Sequence, residues 1–302
     1  EGDEDNIFGS LFVSKEEIQA LVNRNSVEAM SEEMDTELIK VTKEDKKEDM
    51  DSIKLEEISG TNYFAKMLII RDPSRVKLST TYPWGTYGTE LENLVKKENA
   101  IAGINGDFFA GSKGIGSSIG IAIKEGEIYS SSAEQNKSTE TFASILIDDD
   151  NNIICDYIRD NIVIKSNGLE LTARYINKYT DNTDIPTIYT SEWGEYSIGS
   201  TDSLKVTEVV VENGKVSEIR DGEGPVEIPQ NGFVIMATGE AANKLKNNLS
   251  YRSRVEYEVT YVPNVSNIYF AISGGTKLIE NGIIPESYTH NVTGRNPRTI
   301  IG

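Results

Sequence analysis

At 302 residues and 37% apolar composition, the chain has material for one large domain or two ordinary ones. A formal net charge of −19, from 49 acidic and 30 basic residues, disfavours nucleic acid as a partner, because such binding relies on Lys and Arg displacing counterions. The lone cysteine, Cys155, excludes an intrachain disulfide. The lone histidine, His290, argues against a Cys/His zinc site and against a Ser-His-Asp or Cys-His hydrolase. No apolar run approaches the roughly eighteen residues a membrane span requires. Glu1 opens the sequence in place of Met, so an upstream segment is expected to have been removed, whether a signal peptide, a membrane anchor or residues cut off at a cloning boundary.

Residues 1–60 carry 18 Asp/Glu against 7 Lys/Arg, which concentrates −11 of the charge there. Ser14-Lys-Glu-Glu17 has capping-box spacing before Ile18, Leu21 and Val22, and predicts a short amphipathic helix over 14–24. The polar stretch to residue 52 reads as a solvated arm or linker, leaving 53–302 as the principal domain. Strand patterning starts near Ile53 and is clear in Tyr63–Ile70, closed by an Asp72-Pro73-Ser74 turn and followed by a strand at Val76–Ser79. A helix is expected at Thr89–Glu98, capped by Thr89, with Leu91, Leu94 and Val95 on one face.

Ala100–Ile104 reads as a short buried strand entering Asn105-Gly106-Asp107-Phe108-Phe109, and GSKGIGSSIG reads as a glycine-rich loop. Strands at 119–123, 127–130 and 142–147, with turns at Glu125-Gly126 and Asp148–Asn152, suggest a β-meander. Residues 160–265 form a strand-rich inserted segment, with a two-residue hairpin at Asn213-Gly214, a strand after Asn231-Gly232 and a helix at Gly239–Asn247. Strands at 268–272 and 277–279, a turn at Asn281-Gly282 and RNPRTIIG complete the chain. The class expected is α+β, a strand-rich mixed β-sheet core with a few flanking helices.

Three segments carry candidate chemistry. In AIAGINGDFF an apolar strand ends in a polar turn, which can set Asn105 and Asp107 at a pocket rim and one of Phe108 and Phe109 inside it. The competing reading is a turn in which Asn and Asp satisfy local backbone. In AISGGTKLIENG, Gly274 and Gly275 permit close backbone approach to a ligand, or simply form a tight turn. In RNPRTIIG the planar fork of Arg298 suits a phosphate, or an ordinary ion pair. The Asp148–Asp150 loop could hold a structural Ca²⁺, though a solvated turn serves as well; no other cofactor is called for.

Taken in order, NGDFF, SGGTKLIENG and NPRTIIG resemble the phosphodiester glycosidase family. The openings FVSKEEIQALVNRN and YFAKMLIIRDPSRVKLSTT resemble its clostridial members. The resemblance implies hydrolysis of sugar-1-phosphodiesters in extracellular or cell-envelope glycans, with a sugar-phosphate or phosphoglycan as substrate. It implies a catalytic role for Arg298 and substrate binding by Asn105, Gly106, Phe109, Gly274, Gly275, Arg295 and Thr299; Asp107 is taken as the catalytic carboxylate within this chain, with a second carboxylate expected in the C-terminal motif. It further implies a cell-surface location of Gram-positive type, and a C-terminal segment with an Asp-Gly-Gly-Gly-Ser-like motif beyond Gly302. The family commonly has Gly, Ser or Thr where this chain has Asp107. The rival readings are a non-catalytic glycan- or phosphoglycan-binding module and a structural envelope domain.

Overall fold

The computed structural model describes residues 53–84, 88–112, 115–180, 183–290, 292, 294 and 296–302. The helix expected at 14–24 and the acidic arm lie outside them. The chain divides into two units, Glu1–Glu48 with Asn291–Ile300, and Asp49–His290 with Ile301–Gly302. The second unit is strand-rich, built from several mostly antiparallel sheets and three short helices among the described residues.

Its first strands, β1 (Ile53–Ser59) and β2 (Phe64–Ile70), form a two-stranded antiparallel ribbon. Asp72 then caps a 3-10 turn, Pro73–Arg75, by accepting the Ser74 N–H at 3.0 Å. Val76–Ser79 is extended but unpaired, so the strand expected there does not form, although Leu78 is buried. Helix α1 (Leu91–Lys97) is shorter than expected, and Glu90, not Thr89, occupies its N-cap without a side-chain bond. Thr89 is instead spent on Thr81, whose hydroxyl accepts the Thr89 N–H at 3.1 Å.

Ala100–Ile104 departs most from expectation. It is exposed and belongs to no sheet, with Ile101 75% and Ile104 58% exposed. It stays close to α1: the Ala100 N–H donates to the Val95 carbonyl at 3.0 Å, and a Cβ on Gly103 would meet Val95 and Leu91. The segment expected as a loop forms a hairpin of β3 (Phe109–Ser112) and β4 (Ile115–Ser118).

The remaining elements run in order: β5 (Ala122–Lys124), β6 (Glu127–Ser130), α2 (Glu134–Ser138), β7 (Ala143–Asp148), β8 (Ile153–Tyr157), β9 (Arg159–Ser166), β10 (Leu169–Ala173), β11 (Tyr175–Ile176) and β12 (Thr187–Thr190). Then come β13 (Thr207–Glu212), β14 (Lys215–Asp221), β15 (Gly232–Ala237), α3 (Gly239–Asn248), β16 (Val255–Val262) and β17 (Ile268–Ser273). The expected strand at 277–279 is absent, but the Asn281-Gly282 turn is present, closed by a bridge between Glu280 and Ile283.

One five-stranded sheet has the order β11-β12-β15-β13-β14, and a three-stranded sheet the order β10-β9-β16. Their apolar residues, among them Ile162, Ile164, Val209, Val211 and Ile235, pack together with Leu245 of α3 in the largest core cluster. The period-two alternation of β13 explains why five successive residues, Thr207–Val211, are all buried. Val209 and Val211 face this cluster, while Val210 faces a second one with Tyr189, Trp193, Val234 and Met236.

The other five-stranded sheet has the order β6-β5-β17-β7-β8. The hairpins β5–β6 and β7–β8 are local, as expected, but they do not continue as a meander. The C-terminal β17 inserts between them, antiparallel to both β5 and β7. Non-local pairing satisfies the inner edges of both hairpins and buries Ile123, Leu146 and Ala271 in one cluster. This insertion sets the geometry of the candidate site.

Candidate functional site

Because β17 lies beside β5, its C-terminal end meets the Asn105–Phe108 turn, more than 160 positions earlier in the chain. A Cβ added to Gly106 would stand 2.5 Å from Ile272 Cδ1. One added to Gly120 would overlap Ser273 and lie 3.2 Å from Asp107 Oδ1. On the far side, a Cβ on Gly275 would be 3.4 Å from the Phe108 ring. The first two of the three sequence motifs therefore share one place. Glycine is required at 120 by close approach, not by backbone angle, whereas the Ile272 side-chain tip over Gly106 can turn aside.

Asp107 has φ of 59°, in the left-handed region that Asp and Asn tolerate better than most residues. Its half-buried carboxyl accepts the Phe108 N–H at 2.6 Å, the Ser118 hydroxyl and the Gly120 N–H at 3.1 Å. Burial pushes its pKa up, against the lowering effects of the Ser118 bond, the Lys178 charge and the two backbone donors. Ser273 continues the polar seam: its hydroxyl accepts the Ile121 N–H at 2.8 Å and shares a 2.7 Å bond with Ser144.

Lys178 is the residue that sequence reasoning missed. Its side chain is buried, yet its ammonium bonds the carbonyls of Ser118 (2.8 Å), Ile119 (2.8 Å) and Gly120 (3.1 Å) and the Ser130 hydroxyl (2.7 Å). Burial pulls its pKa down to about 8, with Asp107 and Asp160 opposing the shift and Lys137 adding to it. The backbone around it is fixed by Asn177, which bonds Thr190 through both amide atoms, and by the Tyr189 hydroxyl donating to the Lys178 carbonyl at 2.9 Å. Lys178 lies in a polar stretch, NKYT, whose composition gives no sign of burial.

The other expected residues divide. Asn105 is exposed, and Phe109 is 68% exposed at the start of β3. Gly274 donates its N–H to the Ala143 carbonyl at 2.8 Å, and Gly275 accepts from Ala143 at 3.1 Å, so this backbone is tied to β7. The space over Gly274 is open, since a Cβ there would meet nothing within 4 Å. His290 stacks on Phe108 at 5.6 Å and meets Phe142 at 4.7 Å, which makes it a packing residue of this corner. Arg298 and Thr299 are exposed members of the other unit, and Arg295 lies outside the described residues.

The Asp148–Asp150 loop is closed by its own groups. Asp148 accepts the N–H of Asp150 at 3.0 Å, the N–H of Asn152 at 2.8 Å and the Asn152 amide at 2.9 Å, and these bonds, the Asn152 amide first, lower its pKa. Among the described residues no group of three or more His, Cys, Asp or Glu side chains is arranged to hold a metal ion.

Fold and site together define a strand-rich protein with a polar seam where two distant turns meet. No protein-family model and no curated protein matches the chain. Two solved structures share its fold. A hypothetical protein from Synechocystis is 19% identical with a TM-score of 0.62, covering 78% of this chain and 44% of its own. A protein of Burkholderia pseudomallei K96243, described as a predicted exported protein, is 17% identical with a TM-score of 0.53, covering 63% and 44%. The chain thus spans less than half the length of either neighbour. Among the described residues no helix is long and apolar enough to cross a membrane.

Proposed function

We propose that the chain belongs to the phosphodiester glycosidase family and hydrolyses the glycosidic bond of sugar-1-phosphodiesters in extracellular or cell-envelope glycans. One observation carries this reading. The NGDFF and SGG segments, singled out separately in the sequence, meet at a carboxyl group held toward its protonated form by burial. A protonated carboxyl can donate to the leaving oxygen as the glycosidic bond opens toward an oxocarbenium-like state. The leaving group is a phosphate, so less proton donation is needed, and a cation on its oxygens supplies part of the stabilisation.

In this reading Asp107 is the general acid, Asn105 bonds sugar hydroxyls and exposed Phe109 stacks on a sugar face. The open ground over Gly274 admits the phosphodiester. The motif resemblance assigns the phosphate charge to Arg298, with Arg295 and Thr299 assisting. The finer α+β label and an extracellular location go with the same reading, and the exported neighbour supports the location.

A second reading, a non-catalytic module binding glycan or phosphoglycan, is favoured by one feature. Asp107 already accepts from three donors and so also braces its turn. Incubating the full-length protein, with the segment expected beyond Gly302, with sugar-1-phosphodiesters of varied sugar and measuring free sugar and phosphomonoester separates the two. The hydrolase reading expects release, with Asp107→Asn lowering kcat by about 100-fold or more and Arg298→Ala also abolishing it. Binding without turnover on every diester tested would sink it.

A further inference from the structure

The Ile119–Gly120 peptide group stands between the buried Lys178 ammonium and the half-buried Asp107 carboxyl. Its carbonyl oxygen accepts from the Lys178 ammonium at 2.8 Å, and its N–H donates to Asp107 at 3.1 Å. Ser118 repeats the arrangement one residue earlier, its carbonyl on Lys178 and its hydroxyl on Asp107. A hydrogen-bonded chain between a cation and a carboxyl polarises each link in the same sense, strengthening the N–H as a donor while the carbonyl is charged. Lys178 follows β11, and Ser130, its fourth partner, ends β6.

We propose that Lys178 is a positioning residue for Asp107, its ammonium fixing and polarising the Ser118–Gly120 segment whose N–H and hydroxyl hold the Asp107 carboxyl. The charged groups facing Lys178 are Asp107, Asp160 and Lys137, and Asp160 is itself paired with Lys137 at 2.9 Å. Asp107 is thus the carboxyl the ammonium can influence without a competing pair. The assignment deepens the hydrolase reading only in its kinetic consequence; the coupling itself is a property of the folded chain.

The test is carbon-13 NMR of the Asp107 carboxyl, with the Gly120 amide as reporter, in wild type and Lys178→Met across pH 3–10. Removing the ammonium should raise the Asp107 midpoint by about half to one pH unit and shift the Gly120 amide proton to higher field. Should Lys178→Met not fold, wild type decides alone: the Gly120 amide must move with the Lys178 side-chain titration. A folded variant with an unchanged Asp107 midpoint, or a Gly120 amide indifferent to that titration, overturns the proposal. On a diester that wild type hydrolyses, Lys178→Met should lower kcat about tenfold with KM unchanged, and carry the alkaline limb of the rate upward. NMR coupling without any hydrolysis would leave the positioning role standing and remove the hydrolase reading.

Discussion

Asn136 shows how much one buried amide can hold. It donates to the carbonyls of Phe142 (2.7 Å) and Ile158 (3.2 Å) and accepts the N–H groups of Thr141 (3.1 Å) and Phe142 (2.7 Å). Those bonds join α2 to the entry of β7 and to the start of β9. Asn136→Ala would strand buried backbone groups, and we expect urea unfolding to show a loss of about 2–4 kcal/mol. Lys178 gives a pH signature. Its folded pKa of about 8 lies below the 10.5 ordinary for a lysine, so the unfolded chain binds the proton more tightly. This group's penalty is complete below about pH 8 and is relieved as pH rises toward 10.5. The gain is on the order of 3 kcal/mol at most, read as the difference in unfolding free energy between wild type and Lys178→Met across that window.

At the scale of elements, local signals and long-range pairing contributed differently. The Asn213-Gly214 hairpin is legible because both residues take positive φ, 49° and 70°, and few other pairs do so cheaply. The strands β6, β7 and β15 and the helix α3 fall close to their expected positions for similar reasons of period and punctuation. The sequence did not reveal that β17 enters between β5 and β7, since nothing in an apolar run names its neighbours. Gly120→Ala tests that junction. Its Cβ would stand 2.0 Å from Ser273 Cβ, an atom fixed to the chain that no rotamer change can move away, so the backbone at Gly120 or Ser273 must shift. We expect a loss of about 3 kcal/mol or more in thermal or urea unfolding, with broadened signals at Asp107.

Across the whole second unit, the interior is well filled while one set of apolar groups is not covered. Leu55, Phe64 and Tyr63 on the β1–β2 ribbon are 62%, 62% and 60% exposed, and Ile283 reaches 70%. Exposed apolar surface of this kind favours association. We expect the chain to bind a hydrophobic dye such as ANS and to scatter light increasingly with concentration. The double variant Leu55→Lys, Phe64→Lys should reduce both without changing the far-ultraviolet circular dichroism. The expectation of a buried strand at Ala100–Ile104 fails for the same reason: apolar composition marks a segment suited to burial, but burial needs a partner surface.

The sequence by itself determined the strand-rich character, the main hairpin turns, the exclusion of a disulfide within these 302 residues and the two turns that carry the glycines and Asp107. These follow from local physics: side-chain period, left-handed backbone at Asn-Gly, and the count of Cys and His. Only the tertiary structure decided that those two turns meet, that Gly120 is required by close approach, and that buried Lys178 is joined to Asp107 through Ser118–Gly120. Such facts depend on which distant strands pair. That choice is made by the summed burial and hydrogen bonding of whole sheets, and no short window of residues contains it.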